Sequence, residues 1–278
     1  MKKEKAISFS LWGSEPMYNQ GAIENAKLAE EHYEDWECVF YLGDNVPDET
    51  ISALHTFSNV RLISVKEDKS PDWTGMFWRF GAIDEYDIAV FRDTDSRLSQ
   101  RERRAVDEWL DNDHILHIMR DHPEHSEPIM GGMWGAKSKD FMKTVHEKIK
   151  LPEGVNIKFA DMMSSWQTTT RETLNKKGID QLFLRTIYQM LRHDALVHDS
   201  FPNFNSWSAR HPTQSNPSTK GKEMSTGFPV RYTHVNDFVG QVFDENNVPV
   251  QEYADRLVEV VKFIDPTFEI NHWSKKHR

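Results

Sequence analysis

Asp87-Ile-Ala-Val-Phe-Arg-Asp-Thr-Asp-Ser96 passes from an apolar run to a pair of aspartates. Residues 88–91 are a short apolar run with β-branched and aromatic members, the pattern of a buried strand. At its end the chain turns polar and sets Asp93 and Asp95 two residues apart. An extended backbone there points both carboxylates to one side. Two hard oxygen ligands suit Mg2+ or Mn2+, ions that keep some waters and complete their shell with substrate phosphates. The competing reading is plain: aspartates after a strand also simply terminate it, and Asp95-Ser96 can cap a turn. The flanking sequence has to decide.

Working outward, residues 6–12 read as a first strand, broken by Gly13-Ser14-Glu15-Pro16, and an apolar stripe through Ala22, Ala26, Ala29 and Tyr33 marks a helix. Residues 36–42 and 60–65 read as further strands, with a short helix over 47–57 between them. An aromatic-rich helix is expected over 73–86. Alternating strands and helices with short connections imply a mostly parallel α/β sheet, in which ligands sit at the carboxyl ends of the strands. Asp93 and Asp95 lie at that edge. Ser99-Gln-Arg-Glu102 is a capping box ahead of a charged helix, with Arg101, Arg103 and Arg104 expected on a solvated face. A strand is expected over 114–119. Pro128-Ile-Met-Gly-Gly-Met-Trp-Gly135 is apolar but glycine-rich, a sign of close backbone or ligand approach. Ser138 is expected to cap a helix to about 149. Gly178-Ile-Asp-Gln181 opens a helix to about 192, and a short strand over 195–198 follows. Residues 199–229 show no period and read as a long functional loop, in which Trp207, Arg210 and His211 could form a lid. An amphipathic helix is expected over 251–264.

The 278 residues carry 38% hydrophobic and 28% charged side chains, normal for a soluble domain with a core. A net charge of −10 argues against nucleic acid or anionic membrane as partner. Cys38 is the sole cysteine, which excludes an intramolecular disulfide. No signal peptide or membrane span is visible, so the expected location is cytoplasmic.

In the order and spacing of six motifs the chain resembles the GT-A fold, D-x-D-containing nucleotide-sugar glycosyltransferases. The motifs are Ser10-Leu-Trp-Gly13, Trp78-Arg79-Phe80, Asp93-Thr-Asp95, 128–135, Gly178–Gln181 and Val197-His198-Asp199. The resemblance covers roughly residues 5–200. It implies a Rossmann-like, mostly parallel central sheet flanked by helices, with a C-terminal loop-rich and helical extension. One domain is expected, with a nucleotide-binding half over 1–112, a sugar and acceptor side over 113–200 and an extension over 201–278. It implies that Asp93 and Asp95, completed by a late histidine at the place of His198, hold Mn2+ or Mg2+ on the diphosphate of a UDP- or GDP-sugar. Leu11, Trp12 and Gly13 would cradle the nucleoside, and Arg79 and Thr94 would contact the donor. Gly131, Gly132 and Trp134 would line the sugar side, and Asp180 and Gln181 would sit near the anomeric carbon. The acceptor would be a glycan or other small molecule. Two features depart from the family: Arg92 stands where relatives carry a small or apolar residue, and the longer glycine–lysine motif around the late histidine is missing.

An inverting reaction also needs a base to deprotonate the acceptor. Asp121, Glu124 and Asp180 are the candidates, while a retaining reaction needs none. Bland readings stand beside several of these. Asp180 can be a helix N-cap, Trp134 a core residue, and the cluster His114, His117, His122, His125 a structural one, since His114 and His117 face opposite sides of a strand. Two other functions remain open: a non-catalytic sugar- or nucleotide-binding protein on the same fold, and a Mg-dependent phosphatase. The second wants its motif near the N-terminus and Thr or Val where Arg97 stands.

Overall fold

The computed structural model describes residues 3–65, 73–152, 154–170, 176–202, 208–210, 223–264 and 266. Its strands are β1 (Lys3–Leu11), β2 (Glu37–Leu42), β3 (Val60–Ser64), β4 (Tyr86–Arg92), β5 (Leu116–Arg120), β6 (Met133–Lys137), β7 (Ala195–Asp199), β8 (Ser208–Arg210) and β9 (Glu223–Thr226). They form one sheet in the order β3-β2-β1-β4-β6-β5-β7-β9-β8. Every pairing is parallel except those of β6, which runs antiparallel to both β4 and β5. The expected α/β architecture, a mostly parallel sheet between helices, is therefore the one found.

The helices are α1 (Pro16–His32), α2 (Asp48–Leu54), α3 (Ala82–Glu85), α4 (Gln100–Leu110), α5 (Ser138–Lys148), α6 (Phe159–Thr169), α7 (Ile179–Leu191) and α8 (Gln251–Ile264). They cover both faces of the sheet, which is why the central strands read as unbroken apolar runs rather than alternating ones. On β4, Ala89 and Phe91 enter one core with Phe80, Trp134 and Phe183. Val90 enters the other, with Phe9, Phe40, Ala26 and Trp109. No helix among the described residues is long and apolar enough to cross a membrane.

Several local expectations change. Residues 73–81 form a 3-10 helix, and only Ala82–Glu85 is α-helical. In a 3-10 helix side chains repeat every third residue. Trp73, Met76 and Arg79 therefore share one edge, while Phe77 and Phe80 are buried in the core. The capping box at α4 is only half made. Ser99 accepts from the Glu102 N–H at 3.2 Å, but the Glu102 carboxylate instead accepts from Arg92 Nε at 2.6 Å and from the Tyr33 hydroxyl. That pairing accounts for Arg92 ahead of the aspartates: it is a buried structural cation. Arg101 is likewise buried, not solvated, and Arg104 alone of the three is well exposed. Ser138 is the first residue of α5 rather than its cap, which is Lys137. The expected structureless loop over 199–229 contains β8 and β9, which extend the sheet. Trp207 and His211 lie outside the described residues.

Candidate active site

Strand direction gathers the site. β1, β4 and β5 are parallel and end at one edge, and β6, running the other way, begins there. The chain leaving β4 does not stay extended: it turns, with the Ser96 hydroxyl donating to the Asp93 carbonyl at 3.1 Å. The two carboxylates stay within electrostatic reach nonetheless. Loss of solvent, then the charge of Asp93, pushes the Asp95 carboxyl up to about 6, while Lys177 and Arg79 pull it down.

Facing them is a cavity of about 730 Å³. One wall is the turn after β1, where Leu11, Trp12 and Gly13 line the space. Gly13 has φ +77°, a conformation that favours glycine, and its N–H donates to Asn45 Oδ1 at 2.8 Å, fixing the turn. Trp12 packs edge-on against Trp73 and Trp78. A second wall comes from the C-terminal segment, through Gly240, Val242 and Tyr253, tied to the aspartate turn by Phe243 N–H donating to the Asp95 carbonyl at 2.8 Å.

Arg79 lies behind the aspartates, 3% exposed. Its backbone is clamped to β1, accepting from the Ser8 hydroxyl and donating to Ser10 Oγ at 3.0 Å. Its guanidinium pairs with Asp93 and, at 2.8 Å, with Asp180 Oδ2. Burial works against its charge, but these two carboxylates outweigh that and hold it protonated. Gly131 and Gly132, expected on the sugar side, are buried and do not line the cavity; they fit this cluster for a steric reason. In the antiparallel β4–β6 register Arg92 lies opposite Met133, which brings Gly132 opposite Asp93. A Cβ on Gly132 would overlap the Asp93 carboxylate, and one on Gly131 would overlap that of Asp180.

Four other expected site residues fall elsewhere. Trp134 is wholly buried, its ring centroid 4.2 Å from that of Phe91, and cannot stack on a sugar. Asp180 is fully buried beneath the cavity. It is not the cap of α7, which is Gly178; its Oδ1 accepts from the Gln181 N–H, and burial pushes its carboxyl up to about 6 against the pull of Arg79. Gln181 does line the cavity. Asp121 is fully buried and accepts from Arg101 Nε and Nη2 at 2.6 and 2.7 Å, from the Tyr232 and Ser200 hydroxyls, and from the Val239 N–H. No lone pair is left for catalysis. His198 sits at the right edge on the wrong face. Val197 points into the core with Phe91, so its neighbour His198 points the other way, to His117 at 2.9 Å and Glu108 of α4 at 3.5 Å. It is not a ligand beside Asp95.

The residues that the sequence did not announce are Tyr18, Lys177 and the C-terminal wall, and His122 and His125, read from the sequence as structural, also line the cavity. Burial and the charges of Asp95 and Asp93 push the Tyr18 hydroxyl up to about 12. Aromatic residues at a helix start and a lysine before a glycine carry no local signal that separates site from surface.

Among the described residues no three His, Cys, Asp or Glu side chains are grouped to hold a metal unaided. Two carboxylates of hard oxygens, with Asp93 close enough to raise the proton affinity of Asp95 and both open to a cavity, nevertheless fit a Mg2+ or Mn2+ ion that takes its remaining ligands from waters and phosphates.

Four histidines give the fold an acid-sensitive stability. His117, His122, His125 and His198 are all held below 6.5, each first by burial. Below that pH the unfolded chain binds protons there that the native state refuses, so stability falls as pH drops. Asp95 and Asp180 act in the opposite sense, because their native carboxyls near 6 keep protons that unfolding releases. The four histidines outnumber these two carboxyls, so the net effect is a loss of stability as pH falls from 7 to 6. Denaturant titrations in EDTA should show the protein less stable at pH 6 than at pH 7; equal stabilities would mean that the histidines are solvated.

No protein-family model and no curated protein matches the chain. Among solved structures it is similar to the mannosyltransferase PcManGT from Pyrobaculum calidifontis in complex with GDP-Man and Mn2+, at 14% identity and TM-score 0.39, covering 52% of this chain and 47% of that one. It is similar to residues 1–349 of S. aureus TarS at 11% identity and TM-score 0.45, covering 71% and 58%. It is also similar to glucosyl-3-phosphoglycerate synthase from Mycobacterium tuberculosis in complex with Mn2+, UDP and phosphoglyceric acid, at 15% identity and TM-score 0.36, covering 51% and 58%. The chain matches about half to three fifths of the length of these structures.

Proposed function

We propose that this protein is a metal-dependent glycosyltransferase of the GT-A kind, transferring a sugar from a UDP- or GDP-sugar to a hydroxyl acceptor. The observation that carries the reading is the pair Asp93 and Asp95, set at the carboxyl edge of a mostly parallel sheet and opening on a cavity walled by the turn after β1. Asp95 and Asp93 would hold Mn2+ or Mg2+, which when bound offsets the negative charge that develops on the leaving diphosphate.

The chain's own residues divide the remaining work. Trp12 and Trp73 give the nucleoside an aromatic wall, and the fixed Gly13 turn leaves room for it. Lys177, exposed at the rim and acting electrostatically on Asp95, is placed to meet a phosphate oxygen. Arg79 pairs with Asp93 and Asp180 and so aims Asp93, and it also lines the cavity. Of the three candidate bases only Glu124 lies on the cavity surface, which makes it the group to deprotonate an acceptor if inversion occurs.

The test is calorimetric titration of UDP and GDP, with and without Mn2+, into the wild type and Asp95→Asn, followed by nucleotide release from the matching sugar donors. One nucleotide should bind in a metal-dependent way, and the variant should lose about 10–100-fold in affinity, the usual cost of disturbing a metal site. Turnover should disappear while the melting temperature holds. Unchanged turnover in the variant defeats the assignment; binding without any turnover in the wild type favours the non-catalytic reading.

A further inference from the structure

His122 and His125 follow β5 and form part of the cavity wall, yet the reading above gives them no task. Their ring protons are fixed by the backbone. His122 Nδ1 accepts from the Glu124 N–H at 3.1 Å, and its Nε2 meets the Tyr253 carbonyl at 2.9 Å, so both nitrogens are used. His125 differs. Its Nδ1 accepts from the Asp121 N–H at 3.1 Å, which consumes the one lone pair of a neutral imidazole and leaves the proton on Nε2. No described residue accepts from that Nε2–H.

The ring is held firmly. Gly240, at φ +88°, packs on its edge: a Cβ there would lie 3.2 Å from Cε1 and 3.0 Å from Met133 Sδ. His122 and Phe238 close its other sides, with ring centroids 5.5 and 6.3 Å away. The same stretch leads directly to the aspartates, because Met133 follows Gly132, which lies against Asp93. Asp93, Met133 and His125 thus line one cavity.

We propose that His125 donates its Nε2–H to a hydroxyl oxygen of the donor's sugar, and thereby helps to select that sugar. The inference rests on the glycosyltransferase reading and adds a specificity residue to it. The ring's surroundings suit a donor rather than a base. Burial and the neighbouring His122 push His125 down to about 3, with Arg120 acting in the same sense and Asp121 and Asp93 against it, so the ring is uncharged at neutral pH. An uncharged donor in a fixed direction distinguishes sugars by whether a hydroxyl oxygen meets it, and leaving it unmet costs affinity.

The experiment is calorimetry in Mn2+ with UDP, GDP, UDP-glucose, UDP-N-acetylglucosamine and GDP-mannose, titrated into the wild type, His125→Ala and His125→Gln. In the wild type at least one nucleotide sugar should bind more tightly than its parent nucleotide. His125→Ala should erase that gain, a loss of about tenfold for one hydrogen bond, and leave the parent nucleotide's affinity unchanged. His125→Gln, which keeps an N–H donor, should retain part of the gain. Unchanged parent-nucleotide binding certifies that each variant is folded, and a merely structural role would not move the sugar increment alone. A gain that survives in His125→Ala overturns the proposal. So does a wild type that binds UDP or GDP but gains nothing from any sugar, and in that case the parent reading stands. If neither nucleotide binds the wild type, the parent reading fails first and this inference goes with it.

Discussion

Asp121→Ala should lower the stability of the protein by about 3–5 kcal/mol, the usual cost of breaking a buried ion pair from one side. The reason is what remains. Arg101 is 4% exposed and pairs with both Asp121 oxygens, and its guanidinium lies 4.0 Å from the Tyr232 ring centroid. Without the carboxylate it becomes an uncompensated buried charge, and the Tyr232 hydroxyl and the Val239 N–H each lose an acceptor. These last two belong to the chain that leads into Gly240 and Val242, so the same carboxylate pins the C-terminal wall of the cavity to α4 and β5. A melting temperature lower by roughly 10 °C is the expected reading for a chain of this size. A second variant separates charge from packing. Arg101→Met with Asp121→Leu should cost less than the two single changes added together, because no unpaired charge is left. If Asp121→Ala melts with the wild type yet loses turnover, Asp121 returns to the list of catalytic bases.

That carboxylate marks the limit of what the sequence could tell. The α/β order, the strand at 86–92 and the edge on which the aspartates emerge follow from apolar runs and turn residues, which are local signals. Whether a polar residue at that edge is free depends on partners far along the chain. Arg101 stands 20 residues before Asp121, and Tyr232 stands 111 after it. His198 shows a different limit. Reasoning from strand ends found the right edge, but the two-residue repeat of a strand fixes the face only once one neighbour is known to be in the core. Trp134 was readable in principle, since it shares its parity with Ala136 on β6 and both enter the core with Phe91. Its aromatic ring invited a sugar-stacking role that its burial forbids. The 3-10 helix was hidden because its run of aromatics also satisfies a 3.6-residue period, and the difference decides that Trp73, Met76 and Arg79 share an edge. The glycines have a steric cause rather than a ligand: 131 and 132 are small where two carboxylates pass, and neither lines the cavity.

Gly132→Ala turns that steric argument into a measurement. The added methyl meets the Asp93 carboxylate and also comes within 2.8 Å of the Asp93 backbone nitrogen. A side chain can swing aside, but the backbone contact obliges the start of β6 to move away from the end of β4. Asp93 then loses either its direction or its pairing with Arg79, and Arg79 keeps only Asp180. The cost to the fold should be that of modest overpacking at a sheet end, about 1–3 kcal/mol. The cost to the site should be larger, because a metal shared between two carboxylates and a diphosphate tolerates little displacement of one ligand. Mn2+-dependent nucleotide affinity should fall by about 100-fold, the upper end of what disturbing a metal's supporting groups produces. Calorimetry in Mn2+ alongside thermal melting reads both quantities on one sample. The same change at Gly227, where a Cβ would meet nothing within 4 Å, is the matched control and should leave binding unchanged. If Gly132→Ala binds nucleotide as the wild type does, Asp93 is not part of the metal site, and the role of holding the ion passes to Asp95 alone.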